Sequence, residues 1–288
     1  MNLVVYETLT VNTKIQIFPL FSILVFFLCG PLIIIFIVSF WDYTEFSLIP
    51  DFVFTNYIEI FESKVTYSIY LNTLKFAFLT WLFSLFIGFF IAFFLAFHVQ
   101  TLRWQIILFL ICTIPFWTSN IIRMIAWIPV LGRHGLINSA LINLGIIQQP
   151  VEWLLYSDFA VVLAFVHLYA LFMVVPIFNS MMRIDKSVLE AARNAGASSL
   201  QTLGHIIIPL CRPGIAIGTI FIISLVMGDF VTVQAMSGGQ SASVGVAMNH
   251  KRALLQYPAA AADAVILLLV VLTMVAVLMR AVNIRKEL

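Results

Sequence analysis

Six long apolar stretches dominate this chain, and a bilayer is the solvent that such stretches require. They run from about Ile15 to Phe40, Tyr70 to Phe97, Gln105 to Trp127 with Pro115 interrupting, Phe159 to Phe178, Ile215 to Val233, and Ala259 to Val282. Of the 288 residues, 62% are hydrophobic and 10% charged, whereas a soluble domain carries about 25% charged residues. That much apolar surface cannot be hidden in one aqueous core. The expectation is an all-α integral membrane protein with six transmembrane helices, residues 1–288 forming a single transmembrane domain. The first run is too long for the apolar core of a signal peptide and lacks a small-x-small cleavage site, so it reads as a retained span. Cys29 follows Leu28 rather than a small residue, which argues against a lipidation site.

Charge sets the orientation. Asp42, Glu45, Asp51, Glu59 and Glu62 crowd one loop, and Glu152 and Asp158 follow the third run. Lys14, Arg103, Arg183, Lys186, Arg193, Arg212, Arg280, Arg285 and Lys286 collect on the other side. The positive-inside rule places the second set in the cytoplasm, with both termini. Arg133, Lys251 and Arg252 run against the pattern but are outnumbered. The segment Leu131 to Gln149 is broken by Gly132, Gly135 and Gly145 and reads as a short helix on the outer surface. A net charge of +2 is too small to suggest nucleic acid as a partner, and none is expected. Cys29, Cys112 and Cys211 form no C-x-x-C pair, and the five histidines have no H-E-x-x-H spacing, so no metal site is indicated. Nor is there a G-x-S-x-G elbow, which weighs against an intramembrane hydrolase.

The inner segment 181–213 differs from the other loops. Ser187 and Glu190 fit a capping box that starts a helix at Ser187. Ala191, Ala192 and Ala195 favour helix, and Gly196 can end it in the left-handed conformation. Ser198 and Gln201 make a second capping box, and Pro209 is expected to close that helix. A compact helical hairpin follows, with small residues that let another protein approach. Capping alone would explain Ser187, Glu190 and Gln201 as a connector without a partner. The complete spacing says more: Glu190-Ala191-Ala192, three residues, Gly196, nine residues, Ile206, one residue, Ile208-Pro209.

That spacing, in the loop before the penultimate span, resembles the coupling motif of permease subunits of bacterial ATP-binding-cassette importers, whose type I fold has this arrangement of spans. Ile208 departs from the leucine usual before the proline. The resemblance implies that the hairpin docks on a separate dimeric ATPase, with Glu190, Ala191, Ala192, Gly196, Ile206 and Pro209 at the contact. It also implies a second, non-identical permease chain and an external solute-binding protein. The sequence has no G-x-x-x-x-G-K-[ST] loop, so the chain is expected to be non-catalytic and to bind no cofactor, ATP and Mg residing on the ATPase. A transporter working alone would leave the hairpin without a role.

Asn72-Thr73-Leu74 opening span two, the segment Ile114-Pro115-Phe116-Trp117-Thr118-Ser119 with Ile122-Arg123 and Ala126-Trp127, then Gly135-Leu136-Ile137-Asn138, and Gly228-Asp229-Phe230-Val231 with Gly238-Gly239 are similar to the spermidine/putrescine branch. Opines, other organic cations, iron or inorganic anions are the alternative cargoes. A carboxylate within a span is costly and marks function, and aromatic faces attract ammonium groups. Asp229, Trp117, Phe230 and Asp263 are therefore the candidate cargo contacts. Asp229 reads equally as a partner of Arg123 or a residue at a broken helix end. Asp263 and Trp117 also fit the outer interface, and Glu152 a solvated loop.

Overall fold

The computed structural model describes residues 13–44, 47–99 and 101–282; Glu45, Arg285, Lys286 and both termini lie outside the described residues. Helices dominate, and the described strands are the two-residue β1 (Asp42–Tyr43) and β2 (Leu48–Ile49), antiparallel with Asp42 opposite Ile49. Among the described residues five helical stretches are long and apolar enough to cross a membrane, namely Phe21–Val38, Lys64–His98, Asn120–Asn143, Asp158–Met182 and Tyr257–Arg280, or six when the bent pair Ser199–Leu210 and Arg212–Gly228 counts as one.

The chain divides into two compact units. The first takes residues up to Glu62 together with His250–Ile266. It contains α1 (Thr13–Leu24), a π turn, α2 (Gly30–Val38), the strands and α3 (Thr55–Glu62). The apolar side chains of α2 are exposed along its length, a surface suited to lipid or another chain. Its C-terminal end is fixed by polar ties. Buried Asn56 donates from Nδ2 to the carbonyls of Ser39 (3.1 Å) and Trp41 (2.9 Å), and Phe40 stacks on Phe52.

The second unit takes Ser63–Asn249 and the chain from Leu267 onward. Its core is α4 (Lys64–Phe93), α9 (Asp158–Met182) and α13 (Arg212–Gly228). Between lipid-immersed helices, burial from water supplies no force, so close approach and hydrogen bonds must. A Cβ on Gly214 would overlap the carbonyl of Pro176, and one on Gly218 the sulfur of Met173. Glycine at both positions lets α13 lie against α9. Trp81 Nε1 donates to Thr219 Oγ1 at 2.9 Å and joins α4 to α13. Helix α4 begins at Lys64, with Ser63 as N-cap, rather than near Tyr70, so Asn72 and Thr73 lie inside it. Thr73 there accepts the Val244 amide at 2.9 Å.

Two expected spans are interrupted. The third is α5 (Leu102–Thr113) and a 3-10 turn to Trp117, then extended Thr118 and Ser119, then α6 (Asn120–Ile125) and α7 (Ile128–Leu131). Pro115 tightens the helix, and the break itself follows two residues later. The segment after it holds α8 (Leu136–Asn143), which with α6 and α7 makes the apolar stretch Asn120–Asn143, long enough to cross a membrane where a helix on the outer surface is expected; Asn138 and Val151 exchange two hydrogen bonds there. The fifth span ends at Gly228 rather than Val233, and α14 (Val231–Ser237) follows a break. Helices α15 (Val244–Ala253) and α16 (Tyr257–Ala281) complete the chain.

Candidate functional site

The inner loop is a helical hairpin, as expected, with one shifted cap. Helix α10 (Lys186–Asn194) starts at Asp185, whose Oδ1 accepts the Ser187 amide at 3.0 Å. Ser187 was the expected cap. Asp185 takes its place because a carboxylate accepts the first-turn amide and also faces the positive helix end. That hydrogen bond holds the Asp185 carboxyl below the usual carboxylate range. At the other end Gly196 has φ +80°, with its N–H bonded to the Arg193 carbonyl and the Ala197 N–H to the Ala192 carbonyl, both at 3.0 Å. This pair of bonds is a Schellman closure, and its left-handed residue is where glycine is needed. Two residues later Ser198 and Gln201 form the reciprocal capping box that opens α11 (Ser199–Thr202), the Ser198 amide donating to Gln201 Oε1 at 2.8 Å.

Pro209 does not close this second helix. The chain passes through a π turn (Leu203–Ile207) that contains Ile206 and into α12 (Ile208–Leu210), with Pro209 in its first turn, where no backbone donor is required. The 63° bend follows at Cys211. Glu190 and Ala191 are exposed, and Ala192 packs inward. Glu190 also borders a cavity of about 560 Å³ with Leu189, Phe97, Gln105 and Met181. Gln105 there donates to the carbonyls of Leu95 and Val99 and ties off the π turn that ends α4. The hairpin thus presents a carboxylate over small residues on a rigid, doubly capped turn.

A second polar cluster lies at the break after α13. Asp229 is not inside a helix: its backbone is extended (φ −85°, ψ 112°) directly after Gly228. Its Oδ2 accepts the Tyr169 hydroxyl at 2.6 Å and the Thr232 hydroxyl at 2.7 Å, while Oδ1 accepts the Thr232 amide at 2.9 Å. All three donors are neutral, and among the described residues Asp229 joins no ion pair. The carboxyl group thus takes its hydrogen bonds from neutral groups and none from a protein cation. It lines a cavity of about 470 Å³ with Phe230, Tyr169, Asn120, Met124 and Leu225.

Of the four candidate cargo contacts, the structure brings Asp229 and Phe230 together. Trp117 is 80% exposed at the end of its 3-10 turn and does not line that cavity. Asp263 is 2% exposed and accepts from Lys251 Nζ at 2.7 Å; both belong to the first unit, so Asp263 does not share the Asp229 cavity. The alternative pairing of Arg123 with Asp229 is not made. Arg123 donates to Asn120 Oδ1 and lies over the Phe116 ring, 5.7 Å from its centroid, with Nε and Nη1 unbonded.

Sequence reasoning missed Tyr169 and Thr232. A tyrosine alone within the apolar fourth run was the available signal. It also missed the tie in which Asp158, the first residue of α9, accepts Lys75 Nζ at 2.5 Å and the Ser241 hydroxyl, joining α4 to the loop after α14. Glu152 meets Arg133 at 3.5 Å with both side chains well exposed, a pair worth little.

The family described as the binding-protein-dependent transport system inner membrane component matches residues 104–286. The spermidine/putrescine transport system permease protein PotB of Haemophilus influenzae is 30% identical over 234 residues, covering 81% of this chain and 80% of that one. PotB of Escherichia coli K12 is 33% identical over 194 residues, 67% of this chain and 69% of the relative. A crystal structure of a bacterial alginate ABC transporter, in complex with an alginate pentasaccharide-bound periplasmic protein, aligns with a TM-score of 0.73 at 17% identity over 93% of this chain and 92% of that one. The last shows a shared fold. The chain is a multi-pass inner membrane protein and belongs to the binding-protein-dependent transport system inner membrane component family.

Proposed function

We propose that this permease carries polyamines, with the hairpin Lys186–Leu210 as the lever through which a separate ATPase dimer drives it. The observation that carries the cargo reading is Asp229: a carboxylate at a helix break between membrane segments, held by three neutral donors, bordering a cavity and matched to no protein cation. An ammonium group is the ligand that completes such a site, and Tyr169 and Phe230 supply aromatic surface beside it. The PotB relatives, named for spermidine and putrescine transport, point the same way. The hairpin lies on the cytoplasmic side together with both termini. ATP and Mg belong to the ATPase, a second, non-identical permease chain completes the path, and a periplasmic or extracellular binding protein delivers cargo.

The test is ATP hydrolysis by the reconstituted complex with its binding protein, across putrescine, spermidine, an opine, sulfate and ferric iron. Stimulation by a polyamine supports the reading. Stimulation by another solute keeps the importer and removes the polyamine, and uptake independent of ATPase removes the lever.

A further inference from the structure

Helices α9 and α13 carry a second cavity besides the one at Asp229. It measures about 710 Å³ and lies toward the hairpin, bordered by Asn179, Arg183, Asp185, Pro213, Ile217 and Phe221. On α13 the residues Pro213, Ile217, Phe221, Ser224 and Leu225 recur at helical spacing, so both cavities open on one face of that helix. On α9 the same holds for Tyr169, Phe172, Pro176 and Asn179.

Between the polar ends sit aromatic rings. Phe172 lies 5.8 Å from Phe221 across the two helices, 6.3 Å from Tyr169 and 5.0 Å from Phe116. Phe221 borders the hairpin-side cavity, and from Phe221 to Asp229 is roughly 12 Å of helix rise.

We infer that the Phe172–Phe221 pair is the divider of the cargo path, an aromatic step that separates the Asp229 cavity from the hairpin-side cavity and is crossed by organic cations. The inference rests on the reading of Asp229 as a cargo contact. Two rings make an apolar barrier to water and to hydrated anions, because neither offers a hydrogen bond. The same rings offer π faces to an ammonium that has shed its water. An aliphatic pair would block equally and offer no such foothold. Beyond the rings, Asn179 and the Asp185 carboxylate border the cavity into which the cation emerges.

The closing experiment has two arms. In the first, single cysteines replace Asn179 or Ser224 in a complex-forming background without Cys29, Cys112 and Cys211, and a membrane-impermeant thiol reagent is added on the hairpin side without nucleotide. Asn179→Cys should react about tenfold faster than Ser224→Cys, the ratio expected of a modest barrier. Phe172→Ala with Phe221→Ala should erase the difference; if that pair fails to assemble, Phe221→Ala alone should reduce it. Equal rates with both rings present, or a difference that survives their removal, would overturn the divider. This arm needs no cargo, so it decides even if polyamines prove to be the wrong solute. In the second arm, Phe221→Leu should lower spermidine uptake by about tenfold while Phe221→Tyr stays within about twofold. Equal uptake by the two variants would overturn the aromatic step.

Discussion

The hairpin Lys186–Leu210 and the Asp229 cluster are built by opposite means. In the hairpin nearly every stabilising bond closes within five residues: Asp185 to Ser187, Ala197 to Ala192, Gly196 to Arg193, Ser198 to Gln201. At Asp229 the bond that fixes the carboxylate against the core comes from Tyr169, 60 residues earlier on another helix. The hairpin is a local object that can move as a unit. The cluster exists only when α9 and α13 are packed, so its chemistry is tied to the state of the bundle. The proposed function uses this division: the hairpin takes the force, and the carboxylate sits in surroundings that follow the packing of the bundle.

The largest expected effect lies at the turn. Gly196→Val forces a β-branched residue to φ +80°, costing about 1–3 kcal/mol. It should abolish co-purification of the ATPase subunit and uptake together; full recovery of both would show that the turn does not set the docking geometry. Glu190→Ala comes next. Insertion and folding should persist, because the side chain is exposed. Binding of the ATPase should weaken by about tenfold, the loss of one charge-assisted contact. An unchanged pulldown with full transport would leave Glu190 a solvated residue.

Tyr169→Phe sharpens the other side of the comparison. It removes one of three donors to Asp229, and the half-saturating concentration for polyamine uptake should move by several-fold with ATPase binding intact. A shift in ATPase binding instead would mean that the two regions are not separable. The smallest effect is at the caps. Ser198→Ala should destabilise the second hairpin helix by about 1 kcal/mol, seen as faster hydrogen exchange in Thr202. Asp185 adds a pH signature. Its carboxyl is held below the ordinary range, so its contribution is complete above about pH 4 and is lost as pH falls through the lowered value. Protection of the Ser187 amide should be flat from neutral pH down to that point and drop below it, and Asp185→Asn should remove the drop.

The same contrast explains what the sequence made legible. The apolar helical character of the runs, the hairpin, Gly196 in the left-handed conformation and the Ser198 box could be read because each depends on neighbours within a turn or two. The start of α10 was misplaced by two residues because Asp185 and Ser187 both satisfy a capping pattern, and only the fold chooses between them. The ends of spans three and five were hidden because Thr118-Ser119 and Gly228-Asp229 interrupt apolar runs that continue beyond them. Asp229 was singled out as a costly carboxylate, but its donors Tyr169 and Thr232 were not, and Asp263 was grouped with it although Lys251 already holds it. Pairings such as Lys75 with Asp158, 83 residues apart, leave no local trace.

The most direct test of the account is uptake of labelled putrescine and spermidine by the reconstituted importer carrying Asp229→Asn. Loss of the charge with shape retained should raise the half-saturating concentration by about tenfold or more while the ATPase subunits still co-purify, since one desolvated ion pair is worth at least that much. Uptake kinetics equal to those of the unchanged chain, in a verified intact complex, would contradict the claim that Asp229 receives the cargo.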